Sequence, residues 1–297
     1  MVAAHANATM NSPTALPERF ATSDGLTIAI EQFGPRDGAP LVFAHGFGQS
    51  RLAWTRAAQQ LAESGFRCLT MDGRGHGDSD WQGEQRYDLD QFVDDATAVA
   101  GSLPRKPIWI GASMGGLIGL LAESESTDGL FEALVLVDVT PRWEEAGVGR
   151  MLEFMRAHPN GFANVSEASA AVAEYLPHRA QRTDDGRLRK MLVPMANGRL
   201  RWHWDPRLLE QVADNGSRYF ERLAAAAKRL SLPVLLVSGG RSDIVSDQTI
   251  AEFQRLVPHA QHERIERATH MVVGDANDVF VETISRYVRS ICTSPQH

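Results

Sequence analysis

Short apolar runs alternate along this chain with longer stretches whose apolar positions recur at helical spacing. Leu41-Val42-Phe43-Ala44 is a continuous apolar run between Ala-Pro and His-Gly, the pattern of a strand covered on both faces. Further strands are predicted at Arg67-Cys68-Leu69-Thr70-Met71-Asp72, at Ile108-Trp109-Ile110, at residues 132–139, at residues 233–240 and at residues 262–266. Helices are predicted between them, over residues 53–63, 88–101, 248–256 and 275–290, with another starting at Leu117. Near the start, an Asp24-Gly25 turn joins two alternating segments into a hairpin, which places an antiparallel edge on the sheet. Strands that alternate with helices imply an α/β protein, a mostly parallel twisted sheet with helices on both faces. Right-handed crossovers then gather the C-terminal strand ends on one edge.

The alternation stops between residues 140 and 230. Apolar residues there, Met151, Leu152, Phe154 and Met155 and later Leu208 and Leu209, keep a helical spacing, interrupted by His158-Pro159-Asn160-Gly161. The expected organisation is a core of residues 17–139 and 231–297, a helical cap inserted at 140–230 over the strand ends, and a loose tail at 1–16.

Composition narrows the function classes. The 297 residues are 43% hydrophobic and 23% charged, ordinary for a globular domain. The net charge of −7 and the lack of a Lys/Arg-rich run argue against nucleic acid or an anionic membrane as partner. Two cysteines, Cys68 and Cys292, are too few and too far apart for a disulfide framework or a zinc knuckle. No basic n-region with an apolar core opens the chain, and no apolar stretch approaches the roughly 20 residues of a membrane helix, so a cytoplasmic protein is expected. The ten histidines include no pair at i, i+4 with a carboxylate pattern nearby, so no metal is expected.

The chemistry concentrates at Gly111-Ala112-Ser113-Met114-Gly115-Gly116, between the Ile108–Ile110 run and a helix. A serine forced into a sharp strand-to-helix turn crowds its neighbours two residues away on each side, so those places need small residues. A hydroxyl is a weak nucleophile at neutral pH and needs a base, which in turn needs an orienting acid. The order Ser, acid, His expected of this architecture is available. Asp243 lies in the loop leaving the 233–240 strand, and His270 follows the last strand. Ser113 is therefore the candidate nucleophile, His270 the general base and then acid, and Asp243 the group that holds the imidazole. Asp138 also ends a strand on that edge and is the alternative acid.

The chain resembles the α/β-hydrolase fold superfamily. Four patterns in order carry the resemblance across residues 19–291: His45-Gly46-Phe47-Gly48, Asp72-Gly73-Arg74-Gly75-His76-Gly77-Asp78-Ser79, the 111–116 motif, and the spaced Asp243 and His270. Within it the chain is similar to the capped serine esterases and the cofactor-free perhydrolases of haloperoxidase type. Epoxide hydrolases and haloalkane dehalogenases of that branch place Asp at the elbow, so Ser113 implies acyl transfer instead.

The resemblance further implies an oxyanion hole formed by the backbone N–H groups of Phe47 and Met114, with His45 as support for that loop. It implies no cofactor, and a small or medium hydrophobic ester or lactone as substrate. Perhydrolysis, C–C bond hydrolysis, lyase chemistry and slow-turnover ligand reception on the same triad stand as alternatives. The cap is rich in large apolar side chains, and Trp143, Met151, Met155, Trp202 and Trp204, with Met271 beside the histidine, are the candidate pocket residues. Gly73-x-Gly75-x-Gly77 lacks the spacing of a dinucleotide loop.

Overall fold

In a computed structural model, residues 17–83, 86–177, 185–210 and 219–293 are described. The expected tail at 1–16 lies outside them. Strands β1 (Glu18–Ala21), β2 (Thr27–Phe33), β3 (Pro40–Ala44), β4 (Arg67–Met71), β5 (Ile108–Ala112) and β6 (Ala133–Val137) come first. A small antiparallel pair, β7 (Leu192–Pro194) and β8 (Leu200–Trp202), lies in the insertion, and β9 (Val234–Gly239) and β10 (Gln261–Ile265) follow. The main sheet has eight strands in the order β1-β2-β4-β3-β5-β6-β9-β10. β1 and β2 form the antiparallel edge, β2 also runs antiparallel to β4, and every pairing from β4 to β10 is parallel.

Side chains alternate across the strands and divide the core in two. Leu41, Phe43, Ile108, Ile110, Val135, Val137, Leu235 and Val237 face one layer, where α1 (Thr55–Glu63) and the C-terminal α9 (Asn277–Thr293) contribute Leu61, Phe280 and Ile284. Val42, Trp109, Leu134, Leu136 and Leu236 face the other, with α2 (Leu89–Gly101), α3 (Met114–Glu125) and the later helices α7 (Phe220–Arg229) and α8 (Asp247–Leu256). Both faces of the central strands are covered, which explains their continuous apolar runs. Asp88 starts α2 with a capping box to Gln91, and Ser246 starts α8 with one to Thr249, leaving Asp247 in the first turn.

The segment 140–230 holds α4 (Glu145–Arg156), α5 (Val165–Tyr175), α6 (Asp185–Lys190), the β7-β8 pair and α7. A wholly helical insertion was the expectation, and the two short strands depart from it. Periodicity over three residues carries no signal, and here Gly198 at φ +79 closes a tight turn between them. α7 lies along α3: Arg222 pairs with Glu125 at 2.8 Å and Asp90 at 2.5 Å, and Arg229 donates to the Ser124 hydroxyl at 3.2 Å.

The cap is fastened to the core by residues 201–205. Gly77 N–H donates to His203 Nδ1 at 2.9 Å, Asp205 N–H to the Gly75 carbonyl at 2.8 Å, and Tyr87 Oη to Asp205 Oδ2 at 2.8 Å. The close approach requires glycine at 75, where φ is +73° and a Cβ would lie 2.7 Å from Tyr87 Oη.

Helix α3 contains a glycine whose role is steric. A Cβ on Gly119 would lie 2.3 Å from Cδ1 of the fully buried Trp109, whose indole N–H is itself held by the Gly115 carbonyl at 2.9 Å. Helix propensity alone predicts that Gly119→Ala stabilises by about 1 kcal/mol. The packing predicts the opposite sign, a loss of about 1–3 kcal/mol in urea unfolding. A gain in stability would show that Trp109 can move aside.

Candidate active site

Ser113 stands between β5 and α3 at φ 47°, ψ −119°, one of two non-glycine residues with positive φ among the described residues. Such a conformation costs about 1–3 kcal/mol and must be held by its surroundings. The Ser113 N–H donates to the Val137 carbonyl of β6 at 3.0 Å, and its carbonyl accepts from Gly116 and Leu117 at 2.9 and 3.2 Å. A Cβ on Gly111 would lie 2.3 Å from the Gly115 carbonyl oxygen, and one on Gly115 would lie 2.5 Å from that of Ala44. The chain can turn this sharply only because neither position carries a side chain.

The second positive-φ residue is Asp138, at φ 50°, directly after β6 and fully buried. Its carboxylate holds His270, with Nδ1 donating to Oδ2 at 2.7 Å. This corrects the assignment of Asp243 as the orienting acid and brings the alternative, Asp138, to the histidine. The Asp243 side chain is about two-fifths exposed and pairs with Arg150 of α4 at 2.7 Å. The loop after β9 turns its serine inward instead: Ser242 Oγ donates to Asp138 Oδ2 at 2.5 Å, and Gly239 N–H donates to Oδ1 at 2.7 Å.

The loop is pressed down by the segment that follows β10. Cβ atoms on Gly239 and Gly240 would lie 2.4 and 2.5 Å from the carbonyl oxygens of Thr269 and Glu266, and Arg241 N–H is bound to the Ala268 carbonyl at 2.8 Å. The Gly-Gly pair thus serves the passage of the His270 loop. Nothing in the local sequence distinguishes Ser242 from Asp243 as the inward residue. The usable signal was an Asp directly after a core strand, since Asp tolerates the left-handed turn better than most residues.

His45-Gly46-Phe47-Gly48 abuts the elbow, and a Cβ on Gly46 would lie 3.2 Å from Ser113 Cβ. The neighbouring amides are occupied: Gly46 donates to Gln49 Oε1 at 3.3 Å, Gly48 to His76 Nε2 at 3.2 Å, and Ser113 to Val137. Among the described residues, the N–H groups of Phe47 and Met114 have no acceptor.

Beneath this loop lie three buried histidines. His45 Nδ1–H donates to the Gly46 carbonyl at 2.8 Å while Nε2 accepts from Gly73 N–H at 2.9 Å. His76 is arranged likewise between the Arg74 carbonyl, 3.0 Å, and Gly48 N–H. His203 accepts from Gly77 N–H through Nδ1. Each ring has an N–H donor against one nitrogen, so protonating it would set donor against donor. Burial drives all three titrations down, His76 well below the ordinary range and His203 to about 3. His45 and His203 thereby serve as neutral struts, His45 under the loop and His203 at the cap joint. Among the described residues, no group of three or more His, Cys, Asp or Glu is placed to hold a metal.

A cavity of about 140 Å³ opens at Ser113. Its floor is Phe47, Ser113, Met114, Leu117 and Val139, and its walls come from α2 (Leu89, Phe92), α4 (Val148, Met151), α7 (Leu223) and Trp143, Leu208, Tyr87, Tyr219 and Ile244. Of the candidate pocket residues, Trp143 and Met151 line it. Met155, Trp202 and Trp204 do not. Trp202 and Trp204 stack at 5.0 Å inside the cap, and Met155 packs against the Gly48 turn, where a Cβ would meet its Cε at 2.7 Å. Met271 does not line it either; its sulfur accepts from Gln49 Nε2 at 3.1 Å. Core residues such as Phe92, Leu117 and Val139 were unreadable as pocket walls because a pocket wall and a core position have the same apolar signature.

Known proteins share this architecture. A family model described as alpha/beta hydrolase fold matches residues 39–276. Esterase Rv0045c of Mycobacterium tuberculosis is 29% identical over 93% of this chain and 90% of its own, and its solved structure superposes with a TM-score of 0.70. The sn-1-specific diacylglycerol lipase ABHD11 of Mus musculus is 25% identical over 84% of this chain and 80% of its own. The crystal structure of an E-2-(acetamidomethylene)succinate hydrolase has a TM-score of 0.78 at 24% identity over 92% of this chain and 99% of that one, a likeness of fold. Among the described residues, no helix is long and apolar enough to cross a membrane.

The buried histidines make stability depend on pH. Unfolded histidine takes up a proton near pH 6.5, whereas these three resist protonation while the protein is folded, His203 down to about 3. Stability is therefore full above pH 6.5 and falls as pH drops below it, because the unfolded state binds up to three more protons. The slope reaches up to about 4 kcal/mol per pH unit. Urea midpoints measured from pH 7.5 to 4.5 should drop steeply below 6.5, and a flat profile over that range would refute neutral burial.

Proposed function

From the premise that the chain belongs to the α/β-hydrolase fold family, we propose that it is a serine hydrolase that cleaves a small or medium uncharged, hydrophobic carboxylic ester or lactone. The observation that carries this reading is the strained Ser113 opening into an apolar cavity, with the His270–Asp138 pair supplied from the ends of β10 and β6 on the same sheet edge. A carboxylate only accepts hydrogen bonds, so His270 keeps its proton on Nδ1 and leaves Nε2 as the base. Ser113 Oγ adds to the ester carbonyl carbon as its proton passes to Nε2. The carbonyl electron pair moves to oxygen, and the N–H groups of Phe47 and Met114 are available to receive that oxyanion. Collapse expels the alcohol, which takes the proton from Nε2. Water then attacks the acyl-enzyme by the same route, releasing the acid and regenerating Ser113.

Substrate preference follows from the lining. Among the described lining residues there is no Lys, Arg or His, and the single carboxylate, Asp88, is engaged as the cap of α2, accepting from Asp90 N–H at 3.0 Å. A second carboxylate on the acyl group would be buried without a partner, at a cost of several kcal/mol. Trp143, Met151 and the other wall residues suit an aliphatic or aromatic acyl chain and exclude water during transfer.

Three results are expected of the purified protein. A fluorophosphonate should label wild type and not Ser113→Ala, with turnover of p-nitrophenyl butyrate lost in the variant. Asp138→Asn should lower kcat by about 10⁴, as loss of the imidazole-orienting charge does in serine hydrolases, while Asp243→Asn stays within about threefold. Neutral butyrate should exceed mono-p-nitrophenyl succinate in kcat/KM by roughly 10² or more. Unimpaired turnover in Ser113→Ala would dispose of the nucleophile, and a crippled Asp243→Asn beside an active Asp138→Asn would move the acid to the β9 loop.

A further inference from the structure

Asp138 is a fully buried carboxylate that neutral donors compensate: Gly239 N–H on Oδ1, and Ser242 Oγ and His270 Nδ1 on Oδ2. We propose that Ser242 is a positioning residue for the Asp138–His270 pair, a directed hydroxyl donor that orients Oδ2 and withdraws charge from it, a role that rests on the serine-hydrolase reading above. The direction of the hydroxyl is determined by elimination. Ser242 Oγ accepts from the N–H groups of Ile244 and Val245 at 3.2 and 3.1 Å, which occupies both lone pairs, so its single proton goes to Asp138.

The two amides belong to a braced segment. The Ile244 carbonyl accepts from Glu144 N–H at 2.9 Å, Ser246 Oγ donates to Glu144 Oε1 at 2.5 Å, and Ser242 N–H donates to the Gly239 carbonyl at 3.1 Å. A donor that cannot rotate, 2.5 Å from the oxygen that also receives the imidazole, fixes that oxygen's position. It also shares the electron density that would otherwise stabilise only the imidazolium. A base must be unprotonated at working pH, and sharing the carboxylate limits how strongly the pair holds a proton.

Other ionisable groups on these loops are engaged elsewhere. Asp243 is paired with Arg150 at 2.7 Å, Asp275 accepts from Thr269 N–H and hydroxyl at 2.9 and 2.5 Å, and Glu144 is held by Ser246. Arg241, Glu266 and Arg267 are exposed.

The role is tested with Ser242→Ala and Ser242→Thr, assayed on p-nitrophenyl butyrate as active-site-titrated enzyme. Ser242→Ala should lower kcat about 10- to 100-fold with KM within about twofold, the loss of one hydrogen bond to a charged group. The acid limb of kcat/KM should move to higher pH by about half a unit or more. Ser242→Thr, which restores the hydroxyl, should return the limb toward wild type. If alanine does not fold, Ser242→Cys, similar in size and a weaker donor, should give a smaller shift of the same sign.

The same comparison by NMR of the His270 ring in a Ser113→Ala background needs no turnover. An upward move of its titration on loss of the hydroxyl supports the proposal. Identical titration with and without the hydroxyl, or Thr behaving as Ala does, overturns it. Failure of the hydrolase reading would be seen separately, as turnover that survives Ser113→Ala.

Discussion

The constraint on which this molecule depends is the close crossing of backbone at the elbow. Ser113 is held in a left-handed turn by the Val137 carbonyl, and the turn exists only because Gly111 and Gly115 let the chain pass within contact of itself and of β3. Trp109, one residue pair earlier, pins the Gly115 carbonyl from inside the core and forces Gly119 on the next turn of α3. The Ser113 hydroxyl is thus positioned by core packing that reaches into the second turn of the helix behind it, which is why strain can persist there.

Around that turn, charge is handled chiefly with neutral donors. Among the described residues, Asp138 has no Lys or Arg partner, and its bonds come from the His270 ring, an amide and a hydroxyl. The buried His45, His76 and His203 are neutral, each with a backbone N–H donating to one ring nitrogen. By contrast, the loop of residues 72–79 is held by largely buried ion pairs, where Arg51 reaches Asp72 and Asp78, and Arg74 forks Asp95 at 2.7 and 2.6 Å. Backbone and hydroxyl dipoles thus lie beside Ser113 and Asp138, and the salt bridges lie behind the 72–79 loop.

The cap contributes in two ways. Its inner surface, Trp143 with Val148 and Met151 of α4, makes one wall of the cavity, while the strap at 201–205 ties it to the glycine loop and to Tyr87, which is itself a cavity wall. α4 is also fastened to the β9 loop through Glu144 and through Arg150 with Asp243. The residue that the sequence offered as acid therefore serves at the seam between cap and core.

What the sequence determined by itself was the sheet, its edge hairpin, the helices on both faces, and the presence of a serine elbow and a histidine on the same edge, because these follow from periodicity and local turn chemistry. Gly111 to Gly116 were legible since the crowding that demands glycine is between residues close in the chain. What only the tertiary structure decided was which carboxylate meets His270, which apolar residues face the cavity, and that residues 192–202 form a hairpin. Asp138 directly follows β6 and Asp243 lies in the loop after β9, on the same sheet edge, and choosing between them depends on how the β10 loop presses on Gly239 and Gly240, a contact between segments nearly thirty residues apart. Trp202 and Met151 carry the same apolar signature in the sequence, and only the packing of the cap turns one into its interior and the other toward Ser113.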